Sequence, residues 1–206
     1  MKAKLDISDY VAGWVASPFG AAGALPWTVT RQAEALVRAA LTGLGADYRV
    51  SGEVAVHRSA LVEAGAVLKG AVIIGPGCLV AAGAYLRGGC WLAEGCIVGP
   101  GAELKTSFLF AGSRLAHLNF VGDSILGAGV NVEAGAVIAN HRNEHADKAI
   151  VIRLGDEVIE TGVEKFGALV GDGVRIGANA VVAPGALLAP GVTVGRLELV
   201  DQAPQA

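Results

Sequence analysis

The sequence predicts an all-β solenoid, preceded by one amphipathic helix and interrupted by a hairpin. Three observations carry this reading. Aliphatic residues recur every six positions from Val50 to Leu104, a period that neither a helix nor an alternating strand produces. Thirty of the 206 residues are glycine and only 5% are aromatic, which suits short strands joined by repeated tight turns. A stretch of helical period stands before the repeat, and a β-prone stretch breaks into it.

The length fits one domain with a small appendage. Residues 1–48 form an N-terminal extension and helix, and 49–200 the repeat domain, with the hairpin inserted at about 143–164. A net charge of −3 without a long basic run argues against a nucleic-acid surface and leaves a small molecule or another copy of the chain as partner. Cys78, Cys90 and Cys96 form neither a disulfide framework nor a zinc ribbon. The odd count fits a reducing compartment. The apolar run Val11–Trp27 is broken by Gly13, Pro18, Gly20, Gly23 and Pro26, unlike a membrane helix of about 20 residues. The expectation is a soluble, cytoplasmic protein with no membrane partner.

Residues 1–25 show no clean period and are expected to wrap onto a neighbouring surface. From Pro26-Trp27, the positions Ala33, Leu36, Val37, Ala40, Leu41 and Leu44 follow helical spacing. Thr28 or Thr30 would cap one helix of about four turns, and Gly43 and Gly45 would end it. The six-residue row then runs Val50, Val56, Val62, Leu68, Ile74, Val80, Leu86, Leu92, Val98, Leu104. A second inward row, from Val54 to Phe108, lies four residues after each. A fixed short repeat means a solenoid, whose turns bury their apolar rows only against one another. The hexads return out of phase at Leu126, Val132 and Ile138, and again from Val170 to Val194, giving roughly seven coils. Between them, Ala149–Leu154 and Glu157–Thr161 flank Gly155-Asp156 as a hairpin. The tail DQAPQA should fray.

This pattern resembles the hexapeptide-repeat transferases, whose chains coil as a left-handed parallel β-helix. In that family three hexads make one coil, so residues eighteen apart stack. The resemblance then puts Cys78 and Cys96 one coil apart and facing inward, as buried reduced thiols. It also stacks Lys69, Arg87 and Lys105 into an outward ladder of cations. Adjacent strands are about 4.8 Å apart and like charges side by side are destabilising. By itself such a ladder reads as a solvated face, with Glu103 offsetting part of the repulsion. An Arg beside a Lys also suits a phosphate. His117, twelve residues beyond Lys105, sits near the phase break with Asn119, Asn131 and Asn140. A lone His is more often structural than catalytic. His141 and His145 lie in a loop, NHRNEHAD, that does not support a helix and offers no third ligand, so no metal is expected.

The segment from Arg87 is similar to the acetyltransferase half of the bifunctional glucosamine-1-phosphate acetyltransferase/N-acetylglucosamine-1-phosphate uridylyltransferases, and more so to the archaeal sugar-1-phosphate nucleotidyltransferase/acetyltransferases. The matching pieces are LRGG, ELK, HLNFVGDSILGAGVNVEAGAVIAN and ETGVEKFGALVGD. The resemblance implies acetyl transfer from acetyl-CoA to an amino-sugar 1-phosphate, with His117 as general base; Glu103 is a carboxylate that could orient the imidazole. It implies that Arg87 and Lys105 hold the phosphate, that Asn131, Asn140 and Lys165 bind sugar hydroxyls or phosphate, and that Ala134, Gly135 and Ala178 lie against the coenzyme. It implies a homotrimer with shared sites. Phe120 stands where the family usually has a tyrosine that reaches the phosphate, and much of the C-terminal coenzyme-binding arm is missing. No nucleotidyltransferase half is expected, since no Gly-rich nucleotide loop precedes the repeats. Three alternatives therefore stand beside the leading reading. One is a non-catalytic trimeric subunit docking a separate nucleotidyltransferase through the N-terminal helix. The others are an acyltransferase on a nucleotide-linked sugar and a metal-dependent hydratase.

Overall fold

Strands of two to four residues stack into three parallel faces of seven strands each, the first extended by one antiparallel strand. The computed structural model describes residues 5–20 and 23–203. The first face starts at Val54–His57, the second at Leu61–Val62 and the third at Val67–Lys69. This is the hexapeptide-repeat β-helix expected from the period. Val67 pairs with Tyr85 and Tyr85 with Glu103, so each of these coils takes eighteen residues. Leu86, Leu92, Val98 and Leu104 are fully buried in the tube, with Cys78, Cys90 and Cys96 between them as free thiols. Each inward aliphatic side chain contributes about 1.5–3 kcal/mol by leaving water. Burial pushes the Cys90 thiol up to about 11, so it stays protonated and packs as a small hydrophobe.

The phase break has a local cause. Glu103 pairs with Phe120, and Phe120 with Val137, so two successive coils are one residue short. The missing residue is taken from the corner between third and first faces. In the regular coils that corner contains Gly70 or Gly88 at positive φ, and the Cys90 N–H donates to the Ala71 carbonyl at 3.0 Å. In the short coils Thr106 and Asp123 take the left-handed conformation. There the Ser124 N–H donates to the Ser107 hydroxyl at 3.0 Å, and the Ala168 N–H to the Ser124 hydroxyl at 3.0 Å. Both serines are fully buried. Their hydroxyls in turn donate to the Lys105 and Gly122 carbonyls. Buried amides need partners, and here side chains supply them. The shortfall also turns Phe108 out of the tube. It is buried, but among the residues outside the first face, and Leu109 takes the inward place. The expectation that Phe108 points inward is corrected by this one-residue shift.

The N-terminal segment lies on its own solenoid. Leu5, Ile7, Val11, Trp14 and Phe19 pack with Ile73, Phe108, Phe110, Ile125 and Leu169 of the first face. Asp172 ties it down, accepting from the Ala12 N–H at 2.9 Å while its own N–H donates to the Tyr10 carbonyl. The expected single helix is two: α1, Pro26–Arg31, and α2, Ala33–Ala40, broken at Gln32. Leu25 precedes α1 with Pro26 in the first turn, where a missing N–H costs nothing. Thr28 and Thr30 therefore lie inside the helix rather than capping it. Trp27, Val29, Ala33 and Val37 are buried against the coils, so the helix spends its apolar side on its own chain. A Cβ at Gly89 would collide with the Glu34 amide, and that glycine lets α2 seat directly on a coil corner.

Val50 is a second correction. Tyr48–Ser51 runs antiparallel to Val54–His57, and Val50 is 55% exposed. It belongs to a capping strand and not to the inward row. The inserted hairpin is present as Val151–Leu154 paired with Glu157–Glu160, and Ile150 and Ile152 are buried outside the first face. The start of the tail is held: Asp201 accepts from Arg142 at 2.7 Å and Gln202 accepts from the Leu187 N–H at 2.7 Å. Fraying is thus corrected for these residues, while 204–206 lie outside the described residues. Among the described residues, no helix is long and apolar enough to cross a membrane.

Candidate active site

His117 stands on the corner joining the second-face strand Arg114–Leu115 to the third-face strand Phe120–Gly122. Its ring is exposed to solvent. Corners of successive coils stack: the Leu118 N–H donates to the Pro100 carbonyl at 3.0 Å, and the Gly135 N–H to the His117 carbonyl at 2.9 Å. The Asn179 N–H then donates to the Ala134 carbonyl at 3.0 Å. Ala134, Gly135 and Ala178 therefore follow His117 in one column. Leu118 has φ +52 where the neighbouring corners use Gly101 and Gly135, and this conformation costs an L-residue about 1–2 kcal/mol. Its side chain is 72% exposed.

Asn119 points into the tube at a place where the other coils hold Ala84, Ala102 and Ala136. Its amide donates to the Glu133 carbonyl at 2.6 Å and the Ala136 carbonyl at 3.4 Å, pinning the corner above His117 from within. Its Oδ1 is buried without a partner. Outside, the Glu133 carboxylate accepts from Arg196 and from the Ala178 N–H at 2.9 Å. Arg196 first, and that amide second, hold the carboxyl below its ordinary value.

The third face carries the cations. Lys69, Arg87 and Lys105 are in register, as the stacking of residues eighteen apart requires. Two of them have carboxylate partners. Arg87 Nη2 lies 2.7 Å from Glu103 Oε1, and Arg87 also sits over the Tyr85 ring. Lys105 Nζ donates to Asp123 Oδ2 at 2.7 Å, with side chains only 17% and 6% exposed. The Asn140 amide donates to that same oxygen. A Cβ at Gly122 would come within 2.8 Å of the Asn140 amide and 2.9 Å of the Phe120 ring, so this glycine lets both lie close. Sequence reasoning missed Asp123. The register pairs Lys105 with Gly122, so Asp123 stands at the corner one residue beyond the ladder, a place set by the short coil.

Lys105 and Asp123 open onto a groove of about 710 Å³, also lined by Arg31 and Glu34 from the helices and by Glu164 and Lys165 from the end of the insertion. His117 and this groove lie at opposite edges of the third face, separated by a three-residue strand about 10 Å long. Half-buried Phe120 lies between them. Asn131 is elsewhere. It is on the second face, in register with Arg114 and Arg175, and the three border a shallow hollow of about 500 Å³. Glu103 contacts Arg87 and has no bond to His117 among the described residues. His141 Nδ1 meets the Glu164 carbonyl at 3.1 Å, and His145 lies 3.7 Å from Glu144. Among the described residues, no group of three His, Cys, Asp or Glu side chains is arranged to hold a metal ion.

Residues 71–106 match the family model "Bacterial transferase hexapeptide (six repeats)". The chain is 36% identical over 99 residues to a bifunctional sugar-1-phosphate nucleotidylyltransferase/acetyltransferase of Sulfurisphaera tokodaii, covering 45% of this chain and 24% of that protein. It is 31% identical over 99 residues to a bifunctional protein GlmU of Methanococcus maripaludis, covering 48% and 23%. A GlmU of Synechococcus is 31% identical over 100 residues, covering 48% and 18%. The chain thus spans about a quarter or less of the length of these relatives. Stacked hexads and the matching repeat model identify the solenoid as a hexapeptide-repeat β-helix, and the chain is similar over nearly half its length to bifunctional sugar-1-phosphate nucleotidylyltransferase/acetyltransferases.

Proposed function

We propose that the chain is a cytoplasmic acyltransferase that moves the acetyl group of acetyl-CoA to the amine of an amino-sugar 1-phosphate, with His117 as general base. One observation carries the reading. An exposed His stands on the column of Ala134 and Ala178, at one edge of the face whose other edge holds Lys105, Asp123 and Asn140. Relatives whose names include acetyltransferase and sugar-1-phosphate activities support it.

The chemistry asks little more of the chain. A protonated amine cannot attack, so a neutral imidazole takes its proton as the new C–N bond forms. The C–S bond then breaks, and the imidazolium returns the proton to the departing thiolate. Developing charge on the acetyl oxygen needs donors fixed in advance. The Gly135 and Ala178 N–H groups are committed to the His117 carbonyl and the Glu133 carboxylate, so the acetyl end is placed against the Ala134 amide. Lys105 and Lys165 serve the phosphate and Asn140 the sugar, while Arg87, one coil before Lys105, is held by Glu103. Asn131, on the second face, reaches the sugar in a homotrimer that sets the second face of one copy against the third face of the next.

Release of free thiol from acetyl-CoA, followed across amino-sugar 1-phosphates and nucleotide-linked amino sugars, tests the reading. Turnover with a 1-phosphate is expected. His117→Ala should lower it about 10²–10⁴-fold without changing the melting temperature. Wild-type turnover by that variant would remove His117 from the role of base.

A further inference from the structure

We infer that the groove between α1 and the end of the insertion is the seat of the acceptor's phosphate, and that Arg31 of the N-terminal helix is one of its ligands. The inference rests on the amino-sugar phosphate reading and assigns a residue outside the repeat domain to it. The groove brings together three segments far apart in the chain: Thr30, Arg31 and Glu34; Lys105, Thr106 and Asp123; and Gly162 to Lys165.

Its charges are unequally occupied. Lys105 is held by Asp123 at 2.7 Å, and Glu34 is engaged by Arg38 at 2.9 Å. Among the described residues, Arg31 and Lys165 have no carboxylate within ion-pair distance, and Glu164 is the groove's one carboxylate without a cation. Two open cations against one open anion favour a negatively charged ligand. Arg87, in contrast, is already paired with Glu103 outside the groove lining. A guanidinium offers a planar pair of N–H donors that match two phosphate oxygens, and an ammonium adds a point charge. The hydroxyl of Thr106 also lines the space.

Arg31 is not placed there by a flexible tail. It ends α1, and the break at Gln32 turns the chain into α2. The start of α2 is seated on Gly89, where a Cβ would strike the backbone of Ala33 and Glu34. The buried side chains of Trp27, Val29 and Ala33 fix the same stretch on the coils. The guanidinium therefore starts from a fixed backbone and has only its own rotamers to order on binding.

Titration calorimetry on the full chain without coenzyme tests this, using glucosamine 1-phosphate, inorganic phosphate and unphosphorylated glucosamine. Arg31→Ala is expected to weaken binding of the sugar phosphate and of phosphate about 10–100-fold. Arg31→Lys should restore part of the loss. Arg49→Ala, which removes the same charge from an exposed strand outside the groove, should leave binding unchanged. Coenzyme A affinity should be the same in all four proteins. Equal phosphate binding by Arg31→Ala and wild type would overturn the inference, as would wild-type binding that ignores the phosphate. Arg31-dependent phosphate binding by a protein that transfers no acetyl group would support the subsite while refuting the activity, so the two failures are distinct.

Discussion

Coils made from residues 54–104 and those made from 105–140 share one repeat but close their corners by different means. In the first set, glycine makes the turn and backbone meets backbone. In the second, each coil lacks one residue, Thr106 and Asp123 turn in glycine's place, and buried serine hydroxyls complete the ladder. The difference shows what a shortfall of one residue does. Backbone groups that lose their partners draw polar side chains to the edge of the core. Lys105, Asp123 and Asn140 meet at that edge. The site stands where the repeat is imperfect.

This contrast can be broken by substitution. In the regular coils only apolar deletions should matter. Leu86→Ala removes a fully buried side chain and should cost about 2–5 kcal/mol in denaturant unfolding. Ser124→Ala strands the Ala168 N–H and the Gly122 carbonyl and should cost about 2–3 kcal/mol. Cys90→Ala, its counterpart in a regular coil, should cost about 1 kcal/mol. Equal losses for Ser124→Ala and Cys90→Ala would mean that the two kinds of corner do not differ in substance.

Gly122→Ala sharpens the contrast at the site. The added methyl meets Asn140 and Phe120, and displacing the amide from Asp123 should raise the acceptor KM about tenfold, with little change in stability. An unchanged KM would separate Asn140 from acceptor binding. The smallest effect is at the tail. Arg142 holds the Asp201 carboxyl below its ordinary 3.8, so the pair adds stability above that value and loses it as pH falls through the lowered one. Asp201→Asn should therefore melt about 2 °C lower at pH 7, with the gap closing in strong acid. A gap that persisted there would mean that packing, not charge, holds the tail.

Much of this was legible in the residues. Six-residue periodicity is a strong signal because no other element shares it, and it located the inward leucines, while the eighteen-residue coil implied by the resemblance located the faces and the cation ladder. It failed where one residue decides. Phe108 and Leu109 are both apolar, so pattern alone cannot say which enters the tube. That depends on Ser107 replacing a backbone partner. Val50 fits the period by coincidence, because its strand runs backwards. The helix caps were misread because Pro26 can begin a helix that no hydroxyl caps. Asp123 was overlooked because the coil there is one residue short: the ladder continues to Gly122, and Asp123 sits at the corner beyond it. Arg31 carried no signal at all, because its place in the groove depends on how the helices lie on the coils.

The first face is covered along its length by the N-terminal segment, the two helices and the hairpin. A triangular prism with one side papered over has a single bare edge, the one shared by its two open sides. His117 stands on that edge. Any copy that seats a broad side against this chain must use one of the faces meeting there, so covering the first face steers every such encounter toward the imidazole.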